Sequence, residues 1–264
     1  MQNIKQNYLF NGFTVYKNFL NKEHTELLNE KITELQTTLP VSDSVFDEDG
    51  TGKIKQIQYL YTKDKIFEEL LSTINPIALE LLGHGEFSIM NMQLFEKHPL
   101  ISKPTRSHQD NAYFKVDPPS ALTMWIALDD IDEENGCLYY ASMTHLTPTR
   151  KHQRYHDHTT FRTRSGVPGL SICLHEHPEE HDVPMIVKAG DVLVHHSNLV
   201  HRAGKNSSEN RRRRAIGIVI IPHECKEDKL LVKYHNDRLK EDIELQRVKN
   251  PKLYRELKIE FKDL

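Results

Sequence analysis

Apolar positions recur at helical spacing in two stretches of the first third of the chain. The first stretch predicts a helix over about 21–37, which Asn21 can cap because its side chain accepts a hydrogen bond from a free backbone N–H. Its apolar stripe consists of Leu27, Leu28, Ile32 and Leu35. The second stretch predicts a helical region over about 65–82, divided near Pro76 because proline removes a backbone donor.

Beyond residue 86 the pattern changes to short runs in which apolar and polar residues alternate, as in strands with one buried face. With an earlier run around 13–16, these runs fall at 87–95, 108–114, 121–128, 137–141, 185–187, 192–196 and 212–221. Many short strands between polar turns predict a mainly β fold, an antiparallel sandwich or barrel, with flanking helices. The charged tail over 225–264 is expected to add one or two amphipathic helices.

No linker, repeat or composition break divides the sequence, so we expect a single domain over 1–264. The net charge of −3 gives no broad positive field for nucleic acid, and no apolar run is long enough to cross a membrane. Three widely spaced cysteines, with no apolar leader at the first residues, predict a reducing, cytoplasmic location. The sequence leaves the oligomeric state open.

A candidate metal-binding pair lies in the run predicted as a strand over 108–114. His108 and Asp110 are two residues apart, and such residues point to the same face of a strand. An imidazole nitrogen and a carboxylate oxygen can therefore bind one ion. The pair alone is weak evidence, because the chain has 16 histidines and 38 acidic residues.

A second group of histidines lies at the end of the predicted strand over 192–196. By residue type alone, His195, His196 and His201 all qualify as a third ligand. We favour His201, because a ligand at the end of a strand is well placed to face a cavity. Two histidines and one carboxylate form the facial triad of non-haem Fe(II) oxygenases, which leaves positions open for substrate and dioxygen.

Four consecutive arginines begin at Arg211 and lead directly into an apolar strand. Alternation should point two of them to each face, and the small residues Ala215 and Gly217 mark a face that a ligand can approach. This register places Arg213 and Arg211 on the ligand face, whereas a shift by one residue would select Arg212 and Arg214. A buried guanidinium there can hold a carboxylate through two parallel hydrogen bonds.

Taken in order, these motifs make the chain resemble the phytanoyl-CoA dioxygenase family of Fe(II)- and 2-oxoglutarate-dependent oxygenases. The ordered set is Gly12-Phe13, His108-Gln109-Asp110, Leu122 to Asp129, Asn135-Gly136, Gly190-Asp191, and His201 followed by Asn206-Ser207-Ser208. The sequence departs from the family at Ser142 to His145, where Pro-Gly-Ser-His is common. The resemblance implies a double-stranded β-helix, the cupin-like jelly roll, with helices backing one sheet.

The same resemblance implies an arginine eleven or twelve residues after the last iron ligand, binding the distal carboxylate of 2-oxoglutarate. The usual count selects Arg212, whereas the small residue two places later selects Arg213, which we prefer. Trp125 resembles a residue lining the co-substrate pocket, although a core position would explain it equally well. Lys97 is a further candidate contact for the co-substrate. The iron ligands carried over are His108, Asp110 and His201.

The implied reaction uses Fe(II), 2-oxoglutarate and dioxygen to hydroxylate a C–H bond, releasing succinate and carbon dioxide. Asp110 favours hydroxylation, since related halogenases lack this carboxylate. The basic stretch over 150–164 falls where the family often covers the active-site mouth, although a solvated loop would also account for it. A basic cover would suit a small anionic or zwitterionic metabolite, such as an aminoalkylphosphonate, amino acid, carboxylate or CoA ester. Candidate substrate contacts are Asn111, Tyr113, Arg162 and Arg164.

Three competing functions fit parts of the sequence. A non-catalytic metal- or metabolite-binding jelly roll would share the fold, but the complete ligand set and the arginine favour catalysis. Nucleic-acid binding through the arginine run is disfavoured, because the run enters a buried strand and the net charge is negative. A structural zinc site lacks paired-cysteine spacing; its candidate ligands are Cys173, His175, His177 and His181.

Overall fold

The structure, a computed structural model, describes residues 4–42, 45–48, 51–83, 85–154, 170–172, 176–234 and 237. Its helices are α1 (Ile4–Asn11), α2 (Lys22–Thr38), α3 (Lys65–Leu82) and α4 (Asn111–Phe114). Its strands are β1 (Phe13–Tyr16), β2 (Val45–Asp47), β3 (Ile54–Ile57), β4 (Phe87–Lys97), β5 (Thr105–His108), β6 (Val116–Asp117), β7 (Leu122–Ala127), β8 (Leu138–Tyr140), β9 (Gln153–Arg154), β10 (Leu170–Ser171), β11 (Val183–Met185), β12 (Val192–His196), β13 (His201–Ala203), β14 (Arg213–Pro222) and β15 (Lys226–Glu227).

Two antiparallel sheets form the body of the fold and confirm the predicted mainly β, jelly-roll architecture. The larger sheet has seven strands in the order β1-β12-β7-β14-β4-β3-β2, and the smaller has four in the order β11-β8-β13-β5. Side chains from both sheets meet in one apolar cluster, in which Trp125 and Ala215 of the larger sheet join Leu138 and Tyr140 of the smaller. The candidate site lies on this shared inner face.

The outer face of the larger sheet is covered by helices α2 and α3. Along β14, Ile216, Ile218 and Ile220 belong to the core cluster that contains the helix residues Ile32 and Ile74. Alternation explains the division, because successive side chains of a strand point to opposite faces. The helices therefore bury one face of the sheet and leave the other face for the site.

The first predicted helix is confirmed together with its cap, since Asn21 Oδ1 accepts a hydrogen bond of 2.9 Å from the backbone N–H of His24. The predicted division near Pro76 is wrong, because α3 continues through this residue. Pro76 is exposed while Ile74 and Ile77 on either side are buried. Proline has no backbone N–H to donate to the carbonyl one turn earlier, but water can reach that carbonyl on the exposed side of the helix. Burial of the apolar face keeps the helix continuous.

The predicted strand over 108–114 is also wrong beyond its first residue. Strand β5 ends at His108, and α4 follows as a single helical turn, in which Tyr113 and Phe114 donate backbone hydrogen bonds to the carbonyl oxygen of Asp110. The strand expected at 185–187 lies slightly earlier, at β11, and Val187 forms an isolated bridge with Ile131.

The predicted helical tail over 225–264 lies mostly outside the described residues. Within them, β15 comes first, and residues 229–234 are helical. Among the helices that the structure describes, none combines the length and apolar character needed to span a membrane.

Candidate metal centre

The side chains of His108, Asp110 and His201 converge at the inner face of the smaller sheet, with potential ligand atoms that all lie within 4.8 Å of one another. Asp110 Oδ1 lies 3.7 Å from His108 Nε2 and 3.5 Å from His201 Nε2. The two imidazole rings are 4.2 Å apart between centroids. In the described part of the chain, this is the one group of three histidine, cysteine or carboxylate side chains close enough to share an ion.

Strand pairing brings two of these residues together from positions far apart in sequence. β13 and β5 are antiparallel neighbours, and their register pairs His201 with His108. Asp110 reaches the same place through a turn, since its backbone is helical rather than extended. The i, i+2 spacing thus gives the expected proximity, although the geometry behind it differs from the predicted strand.

Backbone hydrogen bonds orient both imidazole rings. His108 Nδ1 lies 2.8 Å from the carbonyl oxygen of Arg106, and His201 Nδ1 lies 3.0 Å from that of Leu199. A carbonyl only accepts, so each Nδ1 carries the proton and each Nε2 presents a lone pair toward Asp110. Such a hydrogen bond from the other ring nitrogen is common for histidines that bind a metal.

Burial and mutual charge keep the donors in the protonation states that a divalent metal requires. Burial lowers the pKa values of His108 and His201, which favours neutral imidazoles. Burial alone would raise the pKa of Asp110, but the neighbouring His201 and His195 outweigh it, and the pKa lies below its usual range. Two neutral imidazoles and one carboxylate are the donor set of a non-haem Fe(II) site.

Two further side chains contact the other oxygen of Asp110, and a third contacts one of these two. Thr123 Oγ1 donates a hydrogen bond of 2.7 Å to Asp110 Oδ2, and His195 Nε2 lies 3.1 Å from the same oxygen. The hydroxyl of Tyr140 lies 2.8 Å from His195 Nδ1. The sequence did suggest His195, but as a competing ligand. No sequence motif indicated a role for Tyr140. The only indication for Thr123 was its position two residues before Trp125, which places both side chains on the same face of the strand.

A buried arginine lies beside the tryptophan among the candidate co-substrate residues. Arg213 is 3% exposed, and its guanidinium carbon lies 5.2 Å from the centre of the Trp125 ring. Its guanidinium also donates hydrogen bonds to two backbone carbonyls, at 3.2 Å from Nε to Gly136 O and at 3.4 Å from Nη1 to Phe95 O. Burial lowers its pKa to about 10. Among the described residues, no carboxylate forms an ion pair with Arg213.

The other candidate arginine lies in a different environment. The side chain of Arg212 is 43% exposed, and its Nε lies 3.7 Å from Asp129 Oδ2. The neighbouring Arg211 forms ion pairs with Asp132 and Glu134 at 2.8 and 3.1 Å. Carboxylates thus already neutralise this part of the arginine run, which leaves little charge available for a nucleic-acid backbone.

Lys97 lies next to Arg213, as the two residues pair across β4 and β14. Its Nζ donates a hydrogen bond of 2.6 Å to the carbonyl oxygen of Lys103. Burial, together with the charge of Arg213, lowers the pKa of Lys97 to about 7. The space beside Gly217, expected on sequence grounds to admit a ligand, is instead filled by Phe95, since a Cβ added at Gly217 would lie 2.6 Å from that ring.

The candidate substrate contacts divide into three cases. Asn111 has a structural environment, because its amide bonds to the backbone N–H and carbonyl of Val116 and to Thr149. Tyr113 packs edge-on against His108, with 5.7 Å between ring centroids, and is 41% exposed. Arg162 and Arg164 lie outside the described residues.

The proposed zinc ligands do not form a cluster where the structure describes them. His177 Nε2 is 2.9 Å from Asp182 Oδ1, and His181 is highly exposed beside Glu180. Cys173 and His175 lie outside the described residues.

Comparisons with known proteins place the chain among relatives of one family. The family model described as phytanoyl-CoA dioxygenase matches residues 8–215. Phytanoyl-CoA dioxygenase 1 of Oryza sativa subsp. japonica is 25% identical over 252 residues, covering 81% of this chain and 86% of the relative. The peroxisomal phytanoyl-CoA dioxygenase of Bos taurus is 25% identical over 228 residues, covering 77% and 63%. A cytoplasmic location therefore stays a prediction.

Solved structures share the fold at low sequence identity. EvdO2 from Micromonospora carbonacea var. aurantiaca has a TM-score of 0.70 and 22% identity, covering 86% of this chain and 92% of that one. The epimerase SnoN, solved in complex with Fe3+, alpha ketoglutarate and nogalamycin RO, has a TM-score of 0.66 and 19% identity, covering 85% and 84%.

Proposed function

Because the chain belongs to the phytanoyl-CoA dioxygenase family, we propose that it hydroxylates a C–H bond of a small anionic or zwitterionic metabolite. Family membership makes it an Fe(II)- and 2-oxoglutarate-dependent dioxygenase. When bound, iron and 2-oxoglutarate activate dioxygen, so that one oxygen atom enters the substrate and the other enters succinate, with release of carbon dioxide.

One observation carries the iron site: two histidines and Asp110 converge with each imidazole Nε2 free to bind a metal. His108 and His201 use Nδ1 to bond with backbone carbonyls, which fixes the rings before any ion binds. Since all three side chains lie on one side, an ion held by them keeps positions open for the co-substrate and dioxygen. We assign iron to these three residues.

Arg213 is assigned to the distal carboxylate of 2-oxoglutarate. It lies buried on the inner sheet face, and a carboxylate would supply the charge partner that a buried guanidinium favours. Strand β7 links it to the metal centre, because Thr123 contacts Asp110 and Trp125, on the same face, contacts Arg213. Same-face residues of a strand are roughly 7 Å apart, a spacing that suits a five-carbon diacid. Trp125 would line the pocket, and Lys97 would add a second positive charge.

The substrate class rests on the basic residues that approach the ligand loop. The backbone N–H of Arg150 donates a hydrogen bond of 2.7 Å to Gln109 Oε1, and Gln109 lies between two of the proposed ligands. Arg106 is exposed on β5, two residues before His108, and Lys151 directly follows Arg150. Tyr113 lies beside His108 at the exposed side of the cluster. These groups favour a substrate with a negative charge near the reacting carbon.

Succinate release from 2-oxoglutarate by Fe(II)-loaded protein tests the proposal. A panel of phosphonates, amino acids, carboxylates and CoA esters, together with uncharged analogues of each, would be compared for stimulation of turnover. His108→Ala should abolish both metal binding and turnover. His223→Ala, which changes a histidine paired with Glu86 at the far end of β14, should behave like the parent protein.

Either of two results would contradict the proposal. Absence of iron binding in the parent protein would remove the metal site and leave a metabolite-binding jelly roll. Stimulation by neutral candidates alone would retain the oxygenase and refute the substrate class.

A further inference from the structure

The second carboxylate oxygen of Asp110 is enclosed by buried side chains that have no place in the proposed ligand set. Oδ1 faces the two candidate ligand histidines, at 3.5 and 3.7 Å. Oδ2 faces the Thr123 hydroxyl at 2.7 Å and His195 Nε2 at 3.1 Å. The two oxygens of one carboxylate thus have separate surroundings.

Asp110 and Tyr140 together set the tautomer of His195. The Tyr140 hydroxyl lies 2.8 Å from His195 Nδ1, while Nε2 faces the carboxylate of Asp110. An ionised carboxylate only accepts, so Nε2 must carry the proton, and the bare Nδ1 accepts from the tyrosine hydroxyl. Burial raises the pKa of Tyr140 well above its ordinary value, so this hydroxyl keeps its proton.

The three clustered histidines therefore divide by tautomer. His108 and His201 place the proton on Nδ1, against backbone carbonyls, and present a bare Nε2. His195 has the opposite arrangement, with the proton on Nε2, although its ring lies 4.6 Å from that of His201 between centroids. A protonated Nε2 cannot bind a metal, so His195 serves as a hydrogen-bond donor.

These donors come from both sheets of the fold. Thr123 on β7 and His195 on β12 are paired neighbours in the larger sheet. Tyr140 lies on β8 of the smaller sheet, where it pairs with His201. The chain of hydrogen bonds from Tyr140 through His195 to Asp110 therefore crosses between the sheets at the metal centre. Each of the three side chains is at most 5% exposed.

We propose that Thr123, His195 and Tyr140 are positioning residues that restrict Asp110 to binding the metal through one oxygen. This inference rests on the proposed iron site. With two hydrogen bonds on Oδ2, the carboxylate cannot turn to chelate the ion with both oxygens. One-oxygen binding leaves the coordination position that a chelating carboxylate would occupy open for the co-substrate or dioxygen. Hydrogen-bonded partners of ligating carboxylates commonly set metal affinity in this way.

A matched pair of variants at Thr123 tests the proposal with little change of volume. Thr123→Val removes the hydroxyl and keeps the shape, whereas Thr123→Ser keeps the hydroxyl. Co(II) titration of the otherwise metal-free full chain would give the dissociation constant, and the visible absorption of bound Co(II) would report its coordination. We expect Thr123→Val to weaken binding about tenfold to a hundredfold and to change the spectrum. Thr123→Ser should match the parent protein in both measurements.

Tyr140→Phe provides an independent second variant. Loss of its hydroxyl leaves His195 Nδ1 without its hydrogen-bond donor and lets the imidazole shift away from Asp110, so the same spectral change should appear. Thermal unfolding midpoints of the metal-free variants would show whether the fold is preserved.

The proposal is overturned if folded Thr123→Val and Tyr140→Phe both bind Co(II) within twofold of the parent with unchanged spectra. Equal weakening of Co(II) binding in Thr123→Ser and Thr123→Val would also overturn it, because the hydroxyl would then make no difference to metal binding. Failure of the underlying iron site would look different: the parent protein would not bind Co(II), or His108→Ala would bind it as well as the parent.

Discussion

Two adjacent buried arginines on β14 have opposite surroundings. Arg213 and Arg214 are each 3% exposed, but they point to opposite faces of the larger sheet. On the helix-covered face, Arg214 Nε bonds to Glu96 Oε2 at 2.7 Å, and the rest of the guanidinium bonds to Gln36, Thr33 and Asn29. On the inner face, Arg213 meets two backbone carbonyls and the Trp125 ring.

The difference distinguishes an arginine that stabilises the fold from the arginine proposed to bind 2-oxoglutarate. A buried charge is costly unless an opposite charge and hydrogen bonds compensate it. Arg214 finds that compensation within the chain, where it joins β4, β14 and α2. Arg213 forms no ion pair with a carboxylate among the described residues, so the proposed 2-oxoglutarate carboxylate would supply its charge partner.

The largest expected effect comes from Arg214→Met. Removing this guanidinium leaves Glu96 buried without its charge partner, so we expect the free energy of unfolding to fall by about 3–5 kcal/mol. Chemical denaturation of the metal-free protein measures the loss. Arg213→Met should change the unfolding free energy little or raise it, because no ion pair is broken. Equal destabilisation by both variants would remove the contrast between the two faces.

The next largest expected effect is on the KM for 2-oxoglutarate. Arg213→Met should raise the KM for 2-oxoglutarate at least about thirtyfold, since loss of one partner of a buried charge pair costs about 2 kcal/mol or more. Arg212→Gln is the matched control, and its KM should stay within about twofold, because that side chain is half-exposed beside Asp129. The opposite ranking of these two variants would move the co-substrate arginine to Arg212. Steady-state succinate release gives both values.

The smallest expected effect is a pH dependence from Lys97. Its folded pKa is lowered to about 7, so the side chain is charged below that pH and neutral above it. An anionic co-substrate favours the charged form, and the KM for 2-oxoglutarate should therefore rise between about pH 7 and 8.5, by at most about tenfold per pH unit. Lys97→Met should remove this slope. A slope that persists in the variant would assign it to another group.

Local patterns along the chain predicted much of this arrangement. Alternation in β14 put Arg213 and Ala215 on one face and the isoleucines on the other, as the structure has them. The cap at Asn21 followed from a side chain that can accept a hydrogen bond from the first helical turn. The proximity of His108 and Asp110 followed from their spacing alone, even though the strand expected to carry them ends at His108.

Several features were not readable from local sequence. The turn after His108 depends on Asn111 bonding to Val116, and the continuity of α3 through Pro76 depends on core burial of its apolar face. The small residue Gly217 suggested open space on this face of the strand, but the ring of Phe95 fills that space. In each case contacts with distant residues outweighed a local preference.

The periodicity of the sequence specifies which faces of strands and helices are apolar and which candidate ligands, close together in the chain, lie near one another. The packing of the strands specifies the surroundings of His195, which lies between Asp110 and Tyr140, and the pairing of Glu96 with Arg214 rather than Arg213. Periodicity is a property of a few neighbouring residues, whereas the partner of a buried proton or charge depends on the register of strands that are far apart in the chain.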